Sequence, residues 1–266
     1  MSPLFLLSGI ILSTFVASCA GNFYQDVAVT WGNGRGKILN GGNLLSLSLD
    51  KESGSGFQTN QEYLYAKFDV QMKLVPGNSA GTVTTFYLSS PPGGDHDEID
   101  LEFLGNSSGS PYTLHTNVYV GGKGNREQEF NLWFDPTQRF HLYTILWSPH
   151  RIILLVDNIP IRVFENKIGV PYPKTKPMSA RATLWDADQW ATQGGRVKTD
   201  WSKAPFTAYY SNLNIQTTRS VGSKAWLKRG LSRKDRKWIR WVRKYHMIYD
   251  YCNRSSGIDR RECLKF

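Results

Sequence analysis

Apolar and polar residues alternate with a period of two along most of this chain. From residue 24 to about 215 the alternation comes in short runs broken by Gly, Pro, Asn and Ser. They are LLSLSLD (44–50), YLYAKFDVQMKLV (63–75), TVTTFYLSS (82–90), YTLHTNVYV (112–120), FHLYTILWS (140–148), RIILLVDNIPIRVF (151–164) and SARATLWDA (179–187). A period of two sends successive side chains to opposite faces of a strand. Many such strands with turn signals between them predict an antiparallel sandwich or barrel. VDNIPI reads as a hairpin turning at Asp157-Asn158. No helical periodicity and no internal repeat interrupts this stretch.

After Gln216 the pattern changes. Ser232 followed by Asp235 is an N-terminal cap signal. Trp238, Trp241 or Val242, Tyr245 and Tyr249 then recur at helical spacing, which predicts an amphipathic helix with those residues against the sandwich. Charge is concentrated here. Residues 224–246 hold ten Lys/Arg and one Asp, a net of +9, against +10 for all 266 residues, so the remainder is nearly neutral. Such a run is either a solvated basic face or a surface for an anionic partner. Secretion argues against nucleic acid, and a polyanionic polysaccharide is the partner that an extracellular setting offers.

One strand departs from the ordinary alternation. In HDEIDLEFLG (96–105), Glu98, Asp100 and Glu102 occupy every second place, with Ile99, Leu101 and Phe103 between them. The apolar set faces a core and the carboxylates share the other face. Like charges so close destabilise a strand and raise one another's pKa. A solvated outer face fits poorly with the nearby His96, Asn117, Trp185 and Trp190. Hard cations are usually bound by oxygen ligands from loops, and no Asp/Asn-Gly loop of the required form is present, so no metal and no cofactor is expected. The chemistry that uses such a set is glycoside cleavage. Two carboxyl groups about 5–5.5 Å apart across a glycosidic bond give a retaining double displacement. A third between them keeps their pKa values apart. Residues i and i+4 of a straight strand are about 13 Å apart, so their side chains must lean together over Asp100.

The N-terminus adds a compartment. Leu4 to Ala17 is apolar and Ser18-Cys19-Ala20 is a small-residue cleavage site, so residues 1–20 read as a secretory signal. The alternative is a membrane anchor, but the run is short for a bilayer span. With Cys19 removed, Cys252 and Cys263 remain. Outside the cell they form one small-loop disulfide, the alternative being two free thiols. Asn106-Ser107-Ser108 and Asn253-Arg254-Ser255 are glycosylation sequons. Nine Trp, thirteen Tyr and thirteen Phe suit both strands and the stacking of sugar rings.

HDEIDLEFLGN resembles the active-site motif of the plant xyloglucan endotransglucosylase/hydrolases of glycoside hydrolase family sixteen. Further matching stretches are VPGNSAGTVTTFYLSS, YTLHTNVYVGGKGNREQ, LWFDPTQRFHLYTILWSP, LWDADQWATQGG and DWSKAPF, in the family's order. The resemblance implies an all-β, concanavalin-like jelly-roll sandwich over residues 21–215. A basic extension with one disulfide and a helix would occupy 216–266. It implies Glu98 as nucleophile, Asp100 as helper and Glu102 as general acid/base, with His96 supporting the nucleophile. Tyr87, His115 and Asn117 match the subsite of the reacting sugar. Asn125, Arg126, Glu127, Trp190 and Gly194 match positions on the xyloglucan chain, with Trp185 a further platform and Asn106 the family's glycan site. Leu101 stands where Phe is usual. The extension holds one cysteine pair where the family has two, and the family's substrate-contacting C-terminal Arg has no clean equivalent among Arg254, Arg260 and Arg261.

The expected activity is xyloglucan transfer between a donor and an acceptor chain in the cell wall. The loop GGKGNREQ lacks the insertion of the hydrolytic members, which favours transfer over endohydrolysis. A non-catalytic, lectin-like sandwich is the reading from another class. After signal removal no membrane association is expected.

Overall fold

The structure, a computed structural model, describes residues 21–220, 224–257 and 259–263; the expected signal and Cys19 lie outside them. Each alternating run is a strand. In chain order the strands are β1 (Val27–Trp31), β2 (Gly36–Leu39), β3 (Leu44–Leu49), β4 (Ser55–Thr59), β5 (Ala66–Lys73), β6 (Thr82–Ser89), β7 (Glu98–Leu104) and β8 (Thr113–Tyr119). They continue with β9 (Gln128–Asn131), β10 (His141–Trp147), β11 (Arg151–Val156), β12 (Ile159–Glu165), β13 (Ser179–Asp186), β14 (Phe206–Thr217) and β15 (Met247–Asp250). A single turn, α1 (Phe23–Asp26), precedes β1, and α2 (Arg233–Tyr245) follows β14. Among the described residues no helix is long and apolar enough to cross a membrane.

The strands form two antiparallel sheets. One has the order β1-β4-β13-β6-β7-β8-β9-β15 and the other β12-β11-β10-β5-β14-β3-β2. The hairpin forms where expected. Val156 pairs with Ile159, and Asp157 and Asn158 have φ of 47° and 62°. Both central residues of a type I′ turn need that left-handed backbone, which Asp and Asn tolerate.

The space between the sheets is filled by the inward half of each alternation. Ile99, Leu101 and Phe103 of β7 are fully buried there, together with Phe68, Val70 and Met72 of β5 and Tyr143, Ile145 and Trp147 of β10. Burying each such side chain stabilises the fold by about 1.5–3 kcal/mol. Phe103 meets Tyr143 edge-on, centroids 4.7 Å apart. Leu101, the departure from Phe, affects only this packing.

The strands β10–β12 are apolar on both faces, and the reason lies in the extension. Leu146, Ile153, Leu155 and Val163 bury a second cluster with Trp226 and Ile239. The helix α2 therefore covers the outer face of the seven-stranded sheet. Its cap is a full capping box: the Asp235 N–H donates to the Ser232 hydroxyl, and the Asp235 carboxylate accepts from the Ser232 N–H. The apolar face differs from the one the spacing predicted. Ile239 and Val242 are its buried residues, and Trp238 and Trp241 flank them half-buried. Tyr245 is 62% exposed, and Tyr249 belongs to β15 rather than to the helix. Ile239 and Val242 centre the covered face, and at 3.6 residues per turn position 245 falls about 90° round the helix from that centre.

The extension is continuous with the sandwich. β14 runs two residues past the expected boundary, to Thr217, and β15 pairs with β9 as the last strand of the eight-stranded sheet. Cys252 and Cys263 are joined in a disulfide.

Candidate active site

The acidic row is β7, at the middle of the eight-stranded sheet. Its register decides what surrounds each carboxylate, because residues directly opposite across an antiparallel ladder share a face. Glu98 lies between Ser89 of β6 and Tyr119 of β8, Asp100 between Tyr87 and Asn117, and Glu102 between Thr85 and His115. All three carboxylates, with Thr85, Tyr87, Trp31, Thr183 and Trp185, line one cleft of about 410 Å³.

The three acids differ in environment. Asp100 is 4% exposed. Burial first, then the charges of Glu98 and Glu102 and the hydrogen bond shared with Glu98, push its carboxyl well above the ordinary aspartate range. Burial and the flanking carboxylates thus favour the neutral form of Asp100 beside Glu98. Burial also raises Glu98, while hydrogen bonds from Ser89 and Asp100 and the charge of His96 hold it down. Glu102 Oε2 is 2.7 Å from His115 Nδ1. The arrangement is a partly buried carboxyl beside a fully buried one whose neutral form is favoured, with a third carboxyl one pleat further along, paired to an imidazole. Two carboxyl groups in unlike surroundings on one cleft are the set that a retaining double displacement uses.

Most of the expected site residues converge here. His96 stacks on Tyr119, centroids 5.5 Å apart, and its Nδ1 lies 3.0 Å from the Gly93 carbonyl. Tyr87 faces Asp100, and burial and the charge of Glu98 raise its hydroxyl. Trp185 lies 6.2 Å from Trp190, which lies 6.3 Å from His115. Gly194 is exposed in a turn with φ of 66°.

The loop 120–127 differs in kind. It is tied to the turn before β7: Gly122 N–H donates to the His96 carbonyl at 2.7 Å and Gly121 N–H to Asp97 at 2.8 Å. A Cβ on Gly122 would stand 1.9 Å from the Gly94 carbonyl oxygen, so the approach requires glycine. Asn117 Oδ1 accepts from the Arg126 N–H, and its Nδ2 donates to Glu127 at 3.4 Å. Asn125 is exposed at the loop's tip with φ of 62°. The Arg126 side chain is buried, its guanidinium bound to Glu262 at 2.8 and 3.0 Å and to the Val118 and Lys123 carbonyls. Beneath it the buried Arg162 of β12 donates to Thr116 and to the Arg126 carbonyl. Of the three arginines in the tail, Arg260 donates to the Cys252 and Arg254 carbonyls and Arg261 pairs with Asp259. Asn106 begins a turn on a second groove, its Nδ2 donating to the Pro111 carbonyl.

Sequence reading missed Ser89, Tyr119, Thr85, Thr183 and Trp31. The first three carried a signal, since 85, 87 and 89 share one parity, as do 115, 117 and 119. Tyr119 is held as a neutral phenol, its pKa pushed to about 12 by burial and by Asp100, Glu98 and Glu102. Trp31 comes from the edge strand β1 and is 41% exposed. Its indole lies across Gly54 and Gly56, where added Cβ atoms would stand 3.0 and 2.4 Å from it. The two glycines clear a bed for the ring.

The chain matches the model of Glycosyl hydrolases family 16 over residues 23–203 and that of the Xyloglucan endo-transglycosylase (XET) C-terminus over 221–254. It is 59% identical over 258 residues to xyloglucan endotransglucosylase protein 1 of Diospyros kaki, covering 94% of this chain and 89% of that one. It is 59% identical over 255 residues to xyloglucan endotransglucosylase/hydrolase 2 of Glycine max, covering 93% and 90%. A β-1,3-1,4-glucanase (lichenase) from a mouse hindgut metagenome superposes with a TM-score of 0.58 at 26% identity, over 74% of this chain and 97% of that one. Crh5 transglycosylase does so with 0.58 at 25%, over 73% and 79%. The chain belongs to glycosyl hydrolase family 16, in the branch that carries the xyloglucan endo-transglycosylase C-terminus.

Proposed function

We propose that this protein is a xyloglucan endotransglucosylase that acts outside the cell, cutting the β-1,4-glucan backbone of xyloglucan with retention and joining it to another xyloglucan chain. Glu98 attacks the anomeric carbon while Glu102 donates a proton to the leaving oxygen. The glycosyl-enzyme on Glu98 is then attacked by a sugar hydroxyl, with Glu102 now taking the proton. Asp100 holds Glu98 by its proton, so the nucleophile is oriented without a second negative charge against it. His115 orients Glu102. The observation that carries this reading is the buried Asp100 between Glu98 and Glu102, all three on one cleft.

Transfer outcompetes hydrolysis when the acceptor side holds sugar well enough to exclude water. The short loop 120–127, tied back against the 93–97 turn, leaves that side open to a polymer. An extracellular setting is supported by the reading of residues 1–20 as a secretory signal, the Cys252–Cys263 disulfide and the relatives' xyloglucan names. The test is incubation with xyloglucan and a labelled xyloglucan oligosaccharide. Label entering polymer is expected. Reducing ends released without labelling would replace transferase with endohydrolase, and sugar binding with no turnover would leave a lectin-like module.

A further inference from the structure

We propose that the exposed face of α2 docks the enzyme onto unesterified polyuronide chains, at a surface separate from the catalytic cleft. With 3.6 residues per turn, positions 233, 237, 240 and 244 fall on one stripe and 236 lies beside it. Arg233, Arg236, Lys237, Arg240 and Lys244 occupy them, and all five are exposed. The stripe is about 16 Å long at 1.5 Å per residue. It lies opposite Ile239 and Val242, which face the sandwich.

Two acids of the extension are already engaged. Asp235 caps the helix with Ser232 and lies 3.8 Å from Arg229, and Asp250 pairs with Arg243 at 2.7 Å. Among the described residues none of the five stripe cations has a carboxylate within 4.0 Å. Their charge is uncompensated on a protein that is otherwise nearly neutral.

Charge complementarity calls for a regular row of fixed anions, and the surroundings of the helix favour a sugar polymer. Tyr245, beside Lys244, presents a 62% exposed ring, and Tyr249 a 36% exposed one. Aromatic faces stack on sugar rings while Arg and Lys take carboxylates. A groove of about 400 Å³, lined by Met247, Ile248, Tyr249 and Arg254, opens where the helix ends. A polymer with one carboxylate per sugar satisfies both the stripe and the rings. The inference rests on the extracellular placement proposed above.

The probe is polygalacturonate immobilised at low salt, with fully methyl-esterified pectin as the uncharged control. Wild-type protein is expected to bind polygalacturonate, to release with rising NaCl as the Debye length shortens, and to leave the esterified polymer unbound. The variant Arg233→Gln/Lys237→Gln/Arg240→Gln/Lys244→Gln should lose at least tenfold in affinity. Its melting temperature and its transfer between soluble xyloglucan oligosaccharides should stay unchanged. A second variant, Lys37→Gln/Lys51→Gln/Lys174→Gln/Lys203→Gln, removes the same charge from exposed sites elsewhere. Equal loss in both variants, equal binding to esterified pectin, or binding only to anionic lipid vesicles would each overturn the proposal. The oligosaccharide assay run alongside tests the catalytic reading separately.

Discussion

Glu262→Gln is the substitution whose consequences the structure specifies most closely. Glu262 makes two charged hydrogen bonds to Arg126 and accepts a third from the Tyr251 hydroxyl at 3.2 Å. The Arg126 and Glu262 side chains are 9% and 6% exposed, so solvent cannot replace a lost partner. Removing one member of a buried pair costs about 3–5 kcal/mol, because the other charge stays buried. Gln keeps one acceptor for the fork and for Tyr251, which places the expected cost near the lower end. At about 2–4 °C per kcal/mol for a unit of this size, melting should fall by roughly 6–12 °C. The effect should reach the cleft, since the Arg126 N–H holds Asn117 and the next residue is Glu127. The Michaelis constant for the acceptor oligosaccharide should rise several-fold, with that for the donor polymer little changed. Calorimetry of the single variants, Arg126→Met and the double variant closes a thermodynamic cycle. A coupling energy below about 0.5 kcal/mol would refute the idea that this pair ties the extension to the cleft loop. A lowered acceptor constant in Glu262→Gln would show a freed Arg126 binding sugar directly.

Three further outcomes are expected. Glu98→Ala should abolish transfer while retaining the near-UV circular dichroism of the folded protein and its binding of xyloglucan oligosaccharide; residual turnover near wild-type would remove Glu98 from the mechanism. Asp100→Asn should be inactive or nearly so but more stable than wild-type at pH 7. The folded Asp100 carboxyl titrates above its unfolded value of about 3.9, so the folded state binds more protons in that window and wild-type stability falls as pH rises through it. Asn does not titrate, so the gain should vanish as pH is lowered towards 4, and melting curves that show no such convergence would contradict the proton on Asp100. Trp31→Ala should weaken donor binding two- to tenfold, about 0.5–1.5 kcal/mol of stacking. Gly56→Val, which pushes the indole off its bed, should reproduce the loss without touching the ring's chemistry.

The strands and the acidic row were legible because a period of two is local. Alternation in EIDLEFL places each side chain with no knowledge of partners, and the Asp157-Asn158 turn and Ser232 cap act within four residues. What escaped depends on contacts that the local pattern does not encode. Glu262 meets Arg126 across 136 residues, and Trp31 lines the cleft from β1, which the strand order sets beyond β4, β13 and β6 from β7. The resemblance placed Arg126 on the substrate chain, while the structure occupies its guanidinium with the tail. Tyr245 and Tyr249 were assigned to a buried helix face because they fall at helical spacing after Trp238 and Trp241. The face is set instead by what α2 must cover, the apolar outer side of β10–β12.

The pairing of β15 with β9 bears on how this protein can be shortened. A sheet edge offers a row of open N–H and C=O groups, which is a template for another chain. β15 occupies that template beside β9, two strands from β7. A chain ending after the family 16 match at residue 203 would lose β14 from the middle of its sheet. One ending near 246 would keep the sandwich but expose β9 as a new border. The first should fail to fold and the second should self-associate through the vacated border. The strands β14 and β15 are thus parts of the two sheets themselves, and a minimal catalytic fragment of this enzyme has to include them.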